Sequence, residues 1–223
     1  MPEFPGRLRP PRLAAAPSSP AVGETYYDTA SNRLLWWNGT VWVPAMGATP
    51  GTVTSLPSSP TDGQEVYYVA DATNGVVWHL RYRAGSSSSY KWEFVGGAEL
   101  RAEVATGETV AVGASYIDFA TVGPTVTAPL AGDYNIRLEG LLSTGPNAGG
   151  IHVAPKIGAA AANDGDRMSY GMPVAGYASA QCMRDMRRTV TPAGTAVKLQ
   201  GRSDTAVSGV TYRALSLTPY RVG

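Results

Sequence analysis

An internal repeat constrains the fold of this chain more than any other feature. Segment 17–27 aligns with segment 57–67, an offset of 40 residues. A repeat at this spacing indicates small modules in series. In each copy, short aromatic runs alternate with turn signals, and the Asn38-Gly39 pair is typical of a type I′ hairpin turn. Each copy is therefore predicted to form a three-stranded meander.

The two predicted meanders are rich in aromatic side chains and too small to bury a core alone. We therefore expect their rings to pack against neighbouring modules or chains. The alternative is sugar binding, because aromatic rings stack on the apolar faces of saccharides. The residues concerned are Tyr26, Tyr27, Trp36, Trp37, Trp42, Trp78 and Trp92.

The region after residue 107 predicts a larger β domain. The chain contains 26 Gly and 17 Pro but only 16% charged residues, which favours short strands joined by tight turns. Alternation is clear where the apolar residues Tyr134, Ile136 and Leu138 are separated by polar ones. About eight or nine such strands suit an antiparallel jelly-roll β-sandwich. The predicted fold class is all-β.

Five segments follow from these patterns. They are a Pro-rich extended anchoring arm (1–20), a first β-meander repeat (21–47), a second (48–97), a short neck (98–107) and a jelly-roll head (108–223). The neck includes a helical candidate of only about two turns. The arm is predicted to gain order by docking on a larger assembly. Its anchoring residues are Phe4, Arg7, Leu8, Arg9, Arg12 and Leu13.

The first meander resembles small repeats of tailed-bacteriophage tail-fibre, minor tail and head-fibre proteins. These repeats carry a Pro-x-x-Pro, Gly, Tyr-Tyr-Asp run followed by Trp-x-Gly-x-x-Trp, matched here by Trp37, Gly39 and Trp42. The second copy departs from the pattern at Val66 and Tyr68. The resemblance implies a viral structural protein of a bacteriophage, assembled in the host cytoplasm and exposed on the surface of the virion.

The head resembles the trimeric tumour-necrosis-factor or C1q type of jelly roll that caps many phage fibres, with matching runs at 131–136 and 192–199. This resemblance implies a homotrimer. Together the two resemblances imply a fibre or spike whose arm binds capsid or tail proteins and whose head serves in host attachment through carbohydrate binding. A capsid decoration or head fibre without a receptor role is an alternative.

We expect no enzyme, no catalytic residue and no cofactor. His152 alternates with Ile151 and Val153, and no Ser or Cys nucleophile motif accompanies it, so it is predicted to be a surface or interface residue. A cell-envelope glycan hydrolase or esterase is the alternative from another class. A cellular carbohydrate-binding module unrelated to phage is a third.

Two charged clusters have both structural and binding interpretations. Asp164 and Asp166 lie in a predicted turn, and they lack the further spaced ligands of a calcium loop, so no metal site is predicted there. Arg184, Arg187 and Arg188 form the densest basic cluster. They are predicted to pair with carboxylates across a subunit interface or on a solvated strand, and binding of an anionic polymer is the alternative.

Charge and hydropathy exclude several other classes. The net charge is +1 with scattered basic residues, which disfavours nucleic-acid binding. No run approaches the roughly 20 apolar residues of a membrane span, so membrane insertion is not expected. The single Cys182 and two histidines cannot form a disulfide framework or a zinc cluster.

Overall fold

The computed structural model describes residues 9–45, 50–146, 149–172, 178–204 and 208–223. These residues form β-strands and a short 3-10 turn at Asp164–Asp166, so the prediction of an all-β chain is confirmed. The strands are β1 (Arg12–Leu13), β2 (Thr25–Asp28), β3 (Arg33–Trp37), β4 (Trp42–Pro44), β5 (Gly51–Val53), β6 (Glu65–Asp71), β7 (Val76–Tyr82), β8 (Trp92–Gly97), β9 (Leu100–Val104), β10 (Glu108–Thr109), β11 (Thr125–Ala128), β12 (Gly132–Thr144), β13 (Gly149–Ile157), β14 (Met168–Met172), β15 (Ala178–Val190), β16 (Thr195–Ser203) and β17 (Gly209–Val222). No described helix is long and apolar enough to cross a membrane.

The chain divides into two compact units, Met1–Pro50 and Gly51–Gly223. The first unit contains a four-stranded sheet in the order β1-β2-β3-β4, within its described residues. β1 runs parallel to β2, and the Tyr27 amide donates to the Pro11 carbonyl at 2.8 Å. β1 is therefore an extended strand of the first sheet that lies within the segment predicted as an arm, and the docking of that arm on a larger assembly stays a prediction.

The turn at Asn38 differs from the predicted hairpin. A type I′ turn needs positive φ at both central residues, yet only Gly39 of the pair has one, at +100°. The Asn38 side chain instead accepts hydrogen bonds from the amides of Thr40 at 2.9 Å and Val41 at 2.8 Å. The turn is therefore closed by an Asx-type side-chain bond.

The two aromatic segments share a backbone framework. The Gly23 amide donates to the Trp37 carbonyl at 2.8 Å, and the Gly63 amide donates to the Tyr82 carbonyl at 2.9 Å. Both glycines have positive φ, +87° and +79°. In both segments a short strand precedes the meander and pairs in parallel with its first strand, as β1 with β2 and β5 with β6.

The second meander is continuous with the head. Its strand β8 pairs with β17, where Trp92 lies opposite Val222 and Glu93 opposite Arg221. The described sheet runs in the order β15-β12-β17-β8-β7-β6-β5, and β9 and β10 also pair with β17. The predicted boundary between a second meander and a separate head is therefore not where the structure divides the chain.

The segment predicted as a helical neck is a strand. β9 pairs antiparallel with β17, and Leu100 lies opposite Leu217. Leu100 is buried, whereas Arg101 and Glu103 are exposed, which is the period-two pattern of a half-buried strand. Two helical turns are marginal in isolation, and β17 offers this segment a continuous edge to pair with.

The strand order of the head is that of a jelly roll. One sheet is ordered β9-β17-β12-β15 and the other β11-β16-β13-β14. Counted from β9 and leaving out the short β10, the sheets read 1-8-3-6 and 2-7-4-5, the two interlocked Greek keys of the fold. The core between them includes Tyr134, Ile136, Leu138, Leu215 and Leu217, all fully buried.

A buried arginine joins the connection between β10 and β11 to β17. Arg213 of β17 is fully buried and forms an ion pair with Glu108 at 2.5 Å. Its guanidinium donates to the Gly123 carbonyl at 2.8 Å and lies 4.2 Å from the centre of the Phe119 ring. Burial lowers the pKa of Arg213, and the nearby Glu108 opposes this shift. These contacts fix the connection between β10 and β11 against the sheet.

Candidate functional site

The predicted anchoring residues are only partly visible. Phe4, Arg7 and Leu8 lie outside the described residues. Arg9 is exposed, and Arg12 and Leu13 form β1. The Arg12 guanidinium lies 5.0 Å from the centre of the Tyr27 ring. Arg12 and Leu13 therefore belong to the first sheet, although both side chains remain exposed.

The predicted aromatic set separates into buried and accessible rings. Tyr26 and Trp92 are 3% and 4% exposed and Trp78 is fully buried, so these rings cannot stack on a sugar. Trp36 is 37% exposed and is the most accessible ring of the set. Tyr27, Trp37 and Trp42 are half-buried.

The buried rings pack within each unit. In the first unit, the centre of the Tyr26 ring lies 4.6 Å from that of Trp42 in an edge-on arrangement. In the second, Trp78 lies 6.2 Å from Tyr134 of the head, and its indole N–H donates to the Ala98 carbonyl at 3.0 Å. Packing therefore explains the positions of these rings.

The arginines of the basic cluster in β15 form contacts with other residues of the head. Arg184 donates to the Gly165 carbonyl at 2.6 Å, and Arg188 donates to Asp166 at 3.0 Å through Nε. Arg187 stacks 3.6 Å above the centre of the Tyr220 ring. Two of the three arginines thus attach the β13–β14 connection to β15, while the predicted roles at an interface, on a solvated strand or in anion binding stay predictions.

The loop that contains Asp164 and Asp166 is held by cations. Asp164 accepts from the Tyr116 hydroxyl at 2.7 Å, from Arg167 at 2.9 Å and from Arg202 at 3.1 Å. These donors, Tyr116 first, hold the pKa of Asp164 well below its usual value. Among the described residues, no group of three His, Cys, Asp or Glu side chains is arranged to hold a metal ion.

The outward side of the β9-β17-β12-β15 sheet is termed here the outer face. Opposite charges alternate across it, with Arg101 donating to Glu139 at 2.9 Å and Arg137 to Asp185 at 2.8 Å. Three apolar side chains interrupt the charges and stand partly in solvent: Leu141 at 36%, Met183 at 63% and Tyr220 at 40% exposure. The outer face therefore combines pairs of both signs with accessible apolar surface.

His152 has partners that sequence spacing does not show. Its Nδ1 lies 2.8 Å from the Ser169 hydroxyl, and its Nε2 lies 3.0 Å from an Asp204 oxygen. These partners are 17 and 52 residues away in the chain. His152 was predicted to be a surface or interface residue, and the surface position is wrong because the residue is only 7% exposed. Long-range strand pairing brings these partners together, and no local sequence motif reveals it.

Comparisons with known proteins identify no relative. No protein-family model matches the sequence, and no curated protein matches it significantly. Two similar solved structures are the Eiger TNF of S. frugiperda and infectious bursal disease virus, Gx strain. The first has a TM-score of 0.35 and 10% identity over 56% of this chain and 96% of its own. The second has a TM-score of 0.38 and 8% identity over 65% of this chain and 42% of its own. Both scores are low, so the jelly-roll assignment depends on strand order alone.

Proposed function

We propose that this chain is a structural subunit of a bacteriophage virion appendage, a fibre or spike whose head assembles as a homotrimer. The observation that carries the proposal is the fusion of an aromatic meander to a jelly roll through the pairing of β8 with β17. The first meander carries the motif that resembles fibre-protein repeats. In this proposal the chain is not an enzyme in its main role, and its function comes from assembly and display.

The outer face is the surface that best suits contact between copies of the head. Its alternating pairs, Arg101 with Glu139 and Arg137 with Asp185, present both signs to a second copy of itself. Exposed Met183 and Leu141 add apolar surface that a neighbouring copy would remove from water. Charge complementarity and apolar burial therefore favour a second copy as the partner.

Attachment to the virion and to a host are the remaining parts of the proposal. The N-terminal segment, with Phe4, Arg7, Leu8, Arg9, Arg12 and Leu13, would bind capsid or tail proteins. Trp36 is the accessible ring best placed to stack on a host-surface glycan. Three copies in one assembly would multiply weak glycan contacts by avidity.

Native mass spectrometry of the full chain tests the assembly. We expect the trimer mass at micromolar concentration, and a monomer would overturn the proposal. Met183→Glu is expected to dissociate the trimer by placing a charge in the contact. Val122→Glu is the matched control, because both Val122 and Met183 are 63% exposed while Val122 lies off the outer face.

Glycan binding by the trimer separates receptor binding from decoration alone. We expect binding to glycans of the host envelope that weakens in Trp36→Ala. A trimer that binds no envelope glycan would assign the chain to the decoration or head-fibre class without a receptor role. The measurement is a glycan array followed by calorimetry on any positive compound.

A further inference from the structure

Three adjacent strands of one sheet place a serine, a histidine and an aspartate in a single row. In the order β14-β13-β16, Ser169 lies opposite His152, and His152 lies opposite Arg202. Asp204 follows the end of β16, and its amide donates to the Gly150 carbonyl at 2.9 Å. The backbone of β13 therefore fixes both the histidine and the aspartate.

The two hydrogen bonds of His152 define how its proton is placed. The Asp204 carboxylate can only accept, so Nε2 carries a proton and donates across 3.0 Å. In the neutral ring Nδ1 is then an acceptor, and the Ser169 hydroxyl donates to it across 2.8 Å. The hydrogen bond from His152 is the largest of the effects that hold the pKa of Asp204 below its usual value. Serine, imidazole and carboxylate are thus linked as nucleophile, base and orienting group, with Nδ1 facing the serine and Nε2 the carboxylate, the reverse of the Ser-His-Asp template.

Gly150 leaves the room that the pair requires. A Cβ atom at this position would lie 3.3 Å from Asp204 Oδ2 and 3.3 Å from His152 Nε2, closer than ordinary contacts. Arg202 donates to the second oxygen of Asp204 at 3.0 Å, which fixes the rotation of the carboxylate. Asp204 and Arg202 thus hold the orientation of the His152 imidazole from the side opposite Ser169.

Nucleophilic attack requires a serine that a substrate can reach, and the exposures of Ser169 and His152 differ accordingly. His152 is 7% exposed, whereas Ser169 is exposed. Ser169 also borders a cleft of about 740 Å³ that Asp164, Arg167, Gln181 and Arg184 also line. Arg167 pairs with Asp164 there, and Arg184 donates to two backbone carbonyls, so the lining is polar with its charges paired. In the described chain β14 pairs only with β13, so alternate N–H groups of β14 point away from the sheet and can donate to an oxyanion.

We propose that Ser169 and His152 form an acyl-ester hydrolysis site, oriented by Asp204, whose substrate class is O-acyl esters. Ser169 Oγ bonds to the acyl carbon as its proton passes to His152 Nδ1. The ester C–O bond breaks, and the alcohol leaves with that proton. Water then attacks the acyl-serine and gives one proton to His152, which returns it to Ser169 as the carboxylic acid leaves.

Covalent labelling of the full-length protein tests the nucleophile. A fluorophosphonate probe is expected to add to Ser169, located by peptide mass spectrometry, and hydrolysis of p-nitrophenyl acetate is expected above the buffer rate. Ser169→Ala should abolish both signals. Ser179→Ala is the matched control, an exposed strand serine without a histidine partner, and should change neither. No adduct at Ser169, or equal labelling of Ser169→Ala, would overturn the proposal.

A second variant separates catalysis from stability. His152 is buried, so replacing it can unfold the head. The Asp204 side chain is 46% exposed, and Asp204→Asn therefore tests the orienting role instead. We expect kcat to fall about 100-fold or more with KM unchanged, while circular dichroism shows that the variant remains folded. An unchanged kcat in a folded Asp204→Asn protein would remove Asp204 from the site. This result is independent of the trimer, so the two proposals fail separately.

Discussion

The two meanders use one backbone framework but differ in what surrounds them. In the first, Leu35 is half-buried and Trp36 is exposed. In the second, Trp78 and Leu80 are fully buried and belong to the core of the head. The hydrogen bonds of Gly23 and Gly63 are equivalent, so local turn chemistry builds both meanders. Burial is decided by tertiary context, which β17 supplies to the second meander.

One interior position is common to both meanders. Tyr26 and Val66 occupy corresponding places in β2 and β6, and each is 3% exposed. Tyr26 packs against Trp42 within the first unit, whereas Val66 joins the main core of the second. A meander of this kind therefore shields about one side chain with its own residues and depends on a neighbouring layer for the rest of its core.

The largest effect is expected from truncation. A chain that begins at Gly51 should unfold in urea at the same midpoint as the head of the full chain. A chain that begins at Glu108 lacks β5 to β9 and leaves Tyr134 and Leu217 without their cover, so it should lose about 5 kcal/mol or more, a large part of a domain's stability. Circular dichroism measures both. Equal stability of the two chains would show that the second meander is independent after all.

A matched pair of leucines gives the next largest effect. Leu80→Ala should lower the free energy of unfolding of the second unit by about 2–5 kcal/mol, because it leaves a cavity in a closed core. Leu35→Ala removes a half-buried side chain and should cost the first unit about 1 kcal/mol. Urea unfolding followed by tryptophan fluorescence compares them. Similar losses for both leucines would contradict the difference in burial.

The shared glycines should respond alike. Ala at Gly23 or at Gly63 would meet no atom within 4 Å, so the cost comes only from the positive φ. We expect a loss of about 1 kcal/mol at each position. Thermal unfolding of the two variants provides the comparison. A much larger effect at Gly63 would show that the framework itself differs between the meanders.

The smallest expected effect is the dependence of folding stability on pH. Hydrogen bonds from Ser31 and the Ala30 amide lower the pKa of Asp28, and bonds from Asn74 lower that of Asp71. Each carboxylate therefore stabilises its turn above its unfolded pKa of about 3.9, and this contribution is lost as pH falls through the lower folded value. Carboxyl NMR titration should place both midpoints below the unfolded value. The corresponding Asn variants should show a weaker decline of stability in acid.

The sequence was informative where the pattern is local. Alternation around Tyr134 and Ile136 predicted strands that the structure contains, and Gly and Pro marked their ends. Prediction failed for β9, because a run as short as Leu100–Val104 fits both helix and strand until a partner is known. For β1 the prolines indicated an extended segment, but not that β2 would pair with it.

The candidate site depended on distant pairing and was not predicted. His152 meets Ser169 and Asp204 only because β13 lies between β14 and β16. A sequence motif for a nucleophile covers only the residues of one turn. Here the three partners come from three different strand regions. The exposed aromatic rings show a similar limit, because composition identified Trp36 and Trp78 together, while only the fold separates the accessible ring from the buried one.

The pairing of β8 with β17 also limits how such a chain can lengthen. Beside β9, the edge of β17 has room for one meander strand, at Arg221 and Val222, and β8 occupies it. A further duplicated meander would find no such edge and would have to resemble the first one, with its rings half in solvent. Gene duplication can therefore extend the chain on the side of the first meander, while the copy next to the head is kept as a fixed adaptor.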